Sequence, residues 1–183
     1  NFNKILIFLL SGIIITSIHI NYIIEEPYRQ PNSLKNNDVK LKINNSKNYL
    51  KLSKERVNYI KKAKEIASKG GLKKGDYILD LTGQSPGLIF LLNSYSLGSP
   101  WMIGNKFGNL EYGKSKLNLE NCKKISNSWI LYDKGSRRFS LDLVNSYGSD
   151  FFSDYKAIGK WQSAGYGNDE VQTLFKPINS IKI

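Results

Sequence analysis

Gly75-Asp76-Tyr77-Ile78-Leu79-Asp80-Leu81-Thr82-Gly83-Gln84-Ser85-Pro86-Gly87 (residues 75–87) reads as a turn, a strand, a loop and the start of a helix. Lys74-Gly75-Asp76 turns the chain. Tyr77–Leu81 (YILDL) is short and mostly apolar, as a buried strand is. Pro86 suits the first turn of a helix expected over Leu88–Asn93. The loop Thr82–Gly87 therefore falls at the carboxyl end of the first strand of an α/β unit, where open α/β sheets bind ligands. Small residues there permit close backbone approach, and a helix start favours an anion. Asp80, Thr82, Gly83, Gln84, Ser85 and Gly87 are accordingly candidate ligand-binding residues. Asp80 has two readings: a base or ligand anchor, or a residue that caps the next helix or holds the loop.

Upstream of this stretch, Ser53 can cap a helix whose first turn carries Glu55. Val57, Ile60, Ala63 and Ala67 recur at helical spacing, and Gly70-Gly71 ends the run. Downstream, strands are expected at Pro100–Ile103, Ser128–Tyr132 (SWILY), Tyr155–Trp161 and Thr173–Phe175. Helices are expected over about 109–124, with Leu110, Leu117 and Cys122 as core contacts, and over 140–147. Gly165-Tyr166-Gly167-Asn168 would turn between the last two strands. Alternating strands and helices imply an α/β class: a small three-layer domain with a mostly parallel sheet and a C-terminal antiparallel edge pair. Trp129 and Trp161 read as core. Trp101, near Gly98 and Pro100, could be core or lie beside a pocket, and joins the candidate ligand-binding residues. Arg137-Arg138 could grip a phosphate or simply form a solvated turn.

Residues Ile5 to Ile24 carry no charged residue. Twenty helical residues span about 30 Å, the hydrocarbon thickness of a bilayer. Tyr22 suits the interface, and Glu25, Glu26 and Pro27 stop the helix. His19, near the end of the span, reads as interfacial rather than proton-handling. Lys4 followed by an apolar run resembles a signal peptide, but no small-x-small cleavage site follows. The chain is thus expected to comprise a transmembrane helix (1–26), a polar linker (27–52) and an α/β domain (53–183). It begins with Asn1, and the apolar run starts almost at once, so a fragment of a longer protein is expected. Asn44-Asn45-Ser46 matches the glycosylation acceptor pattern, which an Asn-rich chain also produces by chance.

Lys and Arg total 27 against 15 acidic residues, a net charge of +12. An Asn-, Lys- and Ile-rich composition reads first as solvated surface lysines with no partner; the functional alternative is attraction to anionic lipid, and nucleic acid is not expected, because the lysines are scattered and no nucleic-acid-binding motif is present. One cysteine excludes an internal disulfide and a cysteine-based zinc site, and one histidine leaves little for other metals. No metal or cofactor is expected.

Three family patterns bear on residues 75–87. Lys-Lys-Gly-Asp, a strand ending Leu-Asp-Leu and a glycine loop resemble the first motif of S-adenosylmethionine-dependent methyltransferases. That resemblance implies a nucleotide-type ligand at Gly83–Gly87. Gly83 and Gly87 are spaced more widely than in that family, and the expected second strand, running on through Gly104-Asn105, lacks its ribose-binding acid. An aspartic protease needs Asp-Thr/Ser-Gly twice; here Leu81 separates Asp80 from Thr82 and no second copy exists. The third resemblance covers about residues 5–177. A last membrane helix, a polar linker, Leu79–Gly87 and Gly98-Ser99-Pro100-Trp101 resemble the C-terminal part of bacterial GT-C glycosyltransferases, which use polyprenol-phosphate sugars. It implies an accessory domain on the extracytoplasmic side of the inner membrane. The partners it implies are the bilayer, the parent's other membrane helices, and a polyprenol-linked sugar or anionic acceptor. The family's catalytic carboxylates lie in loops between early membrane helices, so no catalytic residue carries over, and whether the chain is an enzyme stays open. The positive-inside count alone points the other way, because Arg29, Lys35, Lys40 and Lys42 outnumber Lys4.

Overall fold

The computed structural model describes residues 2–28, 32–44, 46–104, 108–133, 141–148, 150–164 and 171–178. Asn45, Asn105, Arg137-Arg138 and Gly165–Asn168, singled out above, lie outside the described residues, as do Arg29 and Pro31.

Helix α1 (Phe2–Glu25) is apolar on every side. Lys4–Glu25 is long and apolar enough to cross a membrane, with mean hydropathy 2.0 and none of it buried against the rest of the chain. Its two serine hydroxyls bond back to the helix itself: Ser11 Oγ donates to the Phe8 carbonyl and Ser17 Oγ to the Ile13 carbonyl, both at 2.8 Å. Neither therefore presents an unmet donor to an apolar surrounding. Beyond the helix the chain folds back on its end. Ser33 Oγ donates to the Ile24 carbonyl at 3.1 Å, and Lys35 pairs with Glu25.

The polar stretch that follows contains a hairpin, β1 (Val39–Lys42) and β2 (Tyr49–Leu52), paired antiparallel with Leu41 opposite Leu50. Leu41 is buried, and Val39, Ile43 and Leu52 pack against the same core cluster. Asn44 Nδ2 donates to the Phe90 carbonyl at 2.9 Å, tying the hairpin turn to the domain.

Helix α2 (Lys54–Gly70) begins where Ser53 Oγ accepts the Arg56 amide and ends with Gly71 in the left-handed region. Its buried face is Val57, Ile60, Ala63 and Ala67, the set the helical period predicts. Then follow β3 (Tyr77–Asp80), α3 (Pro86–Leu91), β4 (Tyr95–Ser96), α4 (Asn109–Leu117), α5 (Cys122–Ser126), β5 (Trp129–Asp133), α6 (Asp142–Asn145), α7 (Phe151–Asp154), β6 (Tyr155–Gln162) and β7 (Val171–Pro177).

These strands form a mixed five-stranded sheet in the order β4-β3-β5-β7-β6. β3 pairs in parallel with β4 and β5; β7 pairs antiparallel with β5 and β6. The expectation of a mostly parallel sheet gives way to an even mixture of pairings, because β7 enters between β5 and β6 instead of adding at the edge. Side chains alternate across the sheet, as a pleat requires. Ile78, Trp129, Leu131 and Leu174 belong to one core cluster; Leu79, Ile130 and Phe175 belong to the other.

Three local expectations are corrected. The second strand is Tyr95–Ser96, not Pro100–Ile103. Met102 and Ile103 are buried, but as part of a loop that turns at Trp101, whose φ is 55°. The helix expected over 109–124 is two helices, because Asn121 Oδ1 accepts the Lys123 amide and starts a new one. Cys122, expected in the core, is exposed at the first position of α5.

Candidate functional site

The carboxyl ends of β3, β5 and β6 and the amino end of the antiparallel β7 meet along one edge of the sheet. This edge carries buried polar side chains at Asp80, Thr82, Ser85, Asp133, Ser163 and Gln172. Asp133 is fully buried and stands opposite Gln172 in the ladder.

Asp80 holds the loop with both carboxylate oxygens. Oδ1 accepts the Thr82 amide at 3.0 Å and the Thr82 hydroxyl at 2.6 Å. Oδ2 accepts the Ser85 amide at 2.9 Å. Burial pushes the Asp80 carboxyl above its ordinary pKa, and the hydrogen bonds from Thr82, Ser85 and Gly83 oppose that shift.

The chain of hydrogen bonds continues away from Asp80. Thr82 Oγ1 lies 2.9 Å from Ser85 Oγ, and Gln172 Nε2 donates to Ser85 Oγ at 2.9 Å. Gln172 Oε1 accepts from Tyr59 at 2.7 Å and from Trp161 Nε1 at 3.2 Å. An indole N–H can only donate, so the Gln172 amide has one orientation. Its NH2 must then donate to Ser85, whose own proton passes to Thr82, whose proton passes to Asp80. Every proton from Tyr59 to the carboxylate is directed. Burial also raises the Tyr59 hydroxyl well above the usual phenol range. For Ser85 or Thr82 to act as a nucleophile, a bond in this chain would have to break. In the geometry present the chain fixes the loop to β7 and α2.

On the other side of Ser85 lies a cavity of about 320 Å³. Leu50 and Leu52 of the hairpin, Ile60 of α2, and Leu88, Phe90 and Leu91 of α3 give it an apolar lining. Its polar lining includes Arg56, Tyr59, Gln84, Ser85 and Gln172. Burial lowers the Arg56 guanidinium below the ordinary arginine value, while Tyr59 acts in the opposite direction. Arginine stays protonated regardless.

The seven residues singled out in the sequence separate into four groups. Gln84, Ser85 and Gly87 line the cavity. Asp80 and Thr82 are buried behind Ser85. Gly83 turns away: a Cβ there would meet the Ile103 carbonyl oxygen at 2.2 Å. Trp101 is 63% exposed, so the core expectation for it fails, and it lines neither this cavity nor its neighbour. α3 has only six residues, and Ser85 makes no side-chain cap bond to it, which leaves little of the anion-binding helix start expected there.

Arg56, Tyr59 and Gln172 escaped the sequence reading. One signal was present for Gln172. It alternates with Leu174 in Val171–Phe175, so a polar residue occupies a core-facing register. Arg56 and Tyr59 flank the apolar face of α2 three residues apart, a position that alone does not separate a site from a surface.

Among the described residues there is no cluster of three or more His, Cys, Asp or Glu to hold a metal. No family model, no curated protein and no solved structure matches this chain.

Proposed function

We propose that this chain is the membrane-anchored accessory end of an integral membrane protein. In this reading α1 crosses a bacterial inner membrane beside other helices of the parent protein. The α/β domain stands on the extracytoplasmic side and helps a group transferase, of the kind that uses polyprenol-phosphate sugars, to recognise its acceptor. The carrying observation is α1 itself: Lys4–Glu25 is apolar, wholly unburied and fastened at its end to the segment that leads into the domain. A helix with that much exposed apolar surface requires an apolar partner. The accessory role is supported by the polar chain from Asp80 to Tyr59, whose groups bond to one another.

The test is topology together with deletion. A reporter active only outside the cytoplasm is fused after residue 183 of the full-length gene product. Residues 53–183 are separately removed from the parent. The expected results are an active reporter, and loss of acceptor-dependent transfer with the remaining protein still in the membrane. An inactive reporter on a normally expressed fusion would overturn the extracytoplasmic placement. Unchanged transfer after deletion would overturn the accessory role.

A second reading takes the domain as a nucleotide-type binding domain acting at Gly83–Gly87. It is favoured by the loop's position after β3, between two parallel neighbours. Calorimetric titration of the full chain with S-adenosylmethionine tests it: saturable binding weakened by Gln84→Ala supports this reading, and no heat of binding removes it.

A further inference from the structure

Gly87 lies inside α3, where alanine would form helix better, and it has no left-handed φ that would call for glycine. A Cβ built on it meets nothing within 4 Å. Neither backbone conformation nor close packing explains the glycine. Gly87 is exposed and lines the cavity, so a side chain at this position would stand at the cavity's mouth.

The cavity has a directional chemistry. Leu52, Ile60, Leu88 and Leu91 form apolar walls, and Leu50 and Phe90 carry that character to the surface, Phe90 being 60% exposed. Arg56 lies at the seam with a second, more polar cavity of about 630 Å³, which is also lined by Asn32, Asn58 and Lys62. Two other charges bear on that seam. Glu55 also lines the polar cavity, and it bonds its own backbone amide and Ser53 at the start of α2. Lys62 is paired with Glu65 at 3.2 Å. An apolar chamber open at an apolar rim, with a partly desolvated cation at its inner seam, matches a ligand that is apolar along its length and anionic at one end.

We infer that the cavity over Gly87 binds a linear hydrocarbon chain ending in an anionic head, with the chain against Leu88 and Leu91 and the head at Arg56. The inference does not rest on the parent protein being a transferase. A free fatty acid and an anionic phospholipid present the same chemistry, and the experiment distinguishes them.

The full chain is reconstituted into phosphatidylcholine nanodiscs. It is photolabelled with palmitic acid bearing a diazirine on its chain, with phosphatidylglycerol bearing the same acyl chain, and with the corresponding uncharged alcohol. Adducts are mapped by mass spectrometry, and labelling of α1 serves as the internal reference. Adducts are expected within residues 50–60 and 84–91, with the acid probe if a free fatty acid is the ligand and with phosphatidylglycerol alone if it is a bilayer lipid. Gly87→Leu is expected to remove these adducts while preserving labelling of α1 and the Tm, because its side chain fills open space. Arg56→Gln should cut labelling by the anionic probes about tenfold and leave the alcohol unchanged. Adducts confined to α1 with every probe would overturn the inference. So would domain adducts that persist in a folded Gly87→Leu protein, or labelling of the wild-type domain by the alcohol equal to that by whichever anionic probe labels it.

Discussion

Gly83 and Gly87 stand four residues apart in one loop, and their surroundings are opposite. At Gly83 the φ is +63° and a Cβ would lie 2.2 Å from a carbonyl oxygen. Around it the loop is sealed by Asp80, Thr82 and Ser85. At Gly87 the backbone is ordinary helix and the space above it is open. One glycine is required by the fold; the other is exposed at the edge of a cavity. A glycine-rich loop at a strand end therefore mixes two unlike functions, and the residue type alone does not separate them.

The sharpest way to break this contrast is Asp80→Ala. It leaves the buried amides of Thr82 and Ser85 without their acceptor, and should destabilise the protein by about 3 kcal/mol. Thermal unfolding of the full chain in detergent, followed by the fluorescence of buried Trp129 and Trp161, measures it. A loss below about 1 kcal/mol would mean that the sealed side is not held by Asp80.

Gly83→Ala should come next, at about 2 kcal/mol, since it combines an unfavourable φ with a clash against backbone. The same unfolding assay reads it. Gly87→Ala should move the other way and stabilise by about 0.5 kcal/mol, because alanine is the better helix former and meets no obstacle. If both substitutions destabilise equally, the contrast between the two glycines collapses.

The last prediction is a pH dependence. Burial raises the folded-state pKa of Asp80, so the native state binds that proton more tightly than the unfolded chain does. The resulting stability is fully present below the unfolded pKa and is lost as pH rises through the folded value. The stability of the wild type relative to Asp80→Asn should therefore be greatest at acid pH, fall as pH rises, and then level off. Unfolding midpoints of the two proteins across that range supply the check. A difference that grows with pH would show that hydrogen bonds to the carboxylate outweigh its burial.

How far the sequence could be read depended on how local each feature is. The cap at Ser53, the buried face Val57-Ile60-Ala63-Ala67 and the stop at Gly71 are settled within a turn or two of helix, and all three stand as read. β3 and β5 were legible as short apolar runs. β4 was not, because two residues carry no periodicity and their strand character comes from pairing with β3. Pro100–Ile103 misled for the converse reason: its apolar residues are buried, but in a loop. In the hairpin only Leu41 is buried, so the polar residues dominated the reading of its segment.

By itself the sequence determined a helix long and apolar enough to cross a membrane, the amphipathic α2 and the strand–loop–helix of residues 77–91. Such features follow from periodicity, capping and turn chemistry acting over a few residues. Only the tertiary structure placed β7 between β5 and β6, and so brought Gln172 to Ser85 across 87 positions of chain. Only it set Trp101 on the surface and left the space over Gly87 open. Burial and hydrogen-bond partnership at these positions depend on residues far away in sequence, and no local pattern encodes which segment will arrive there.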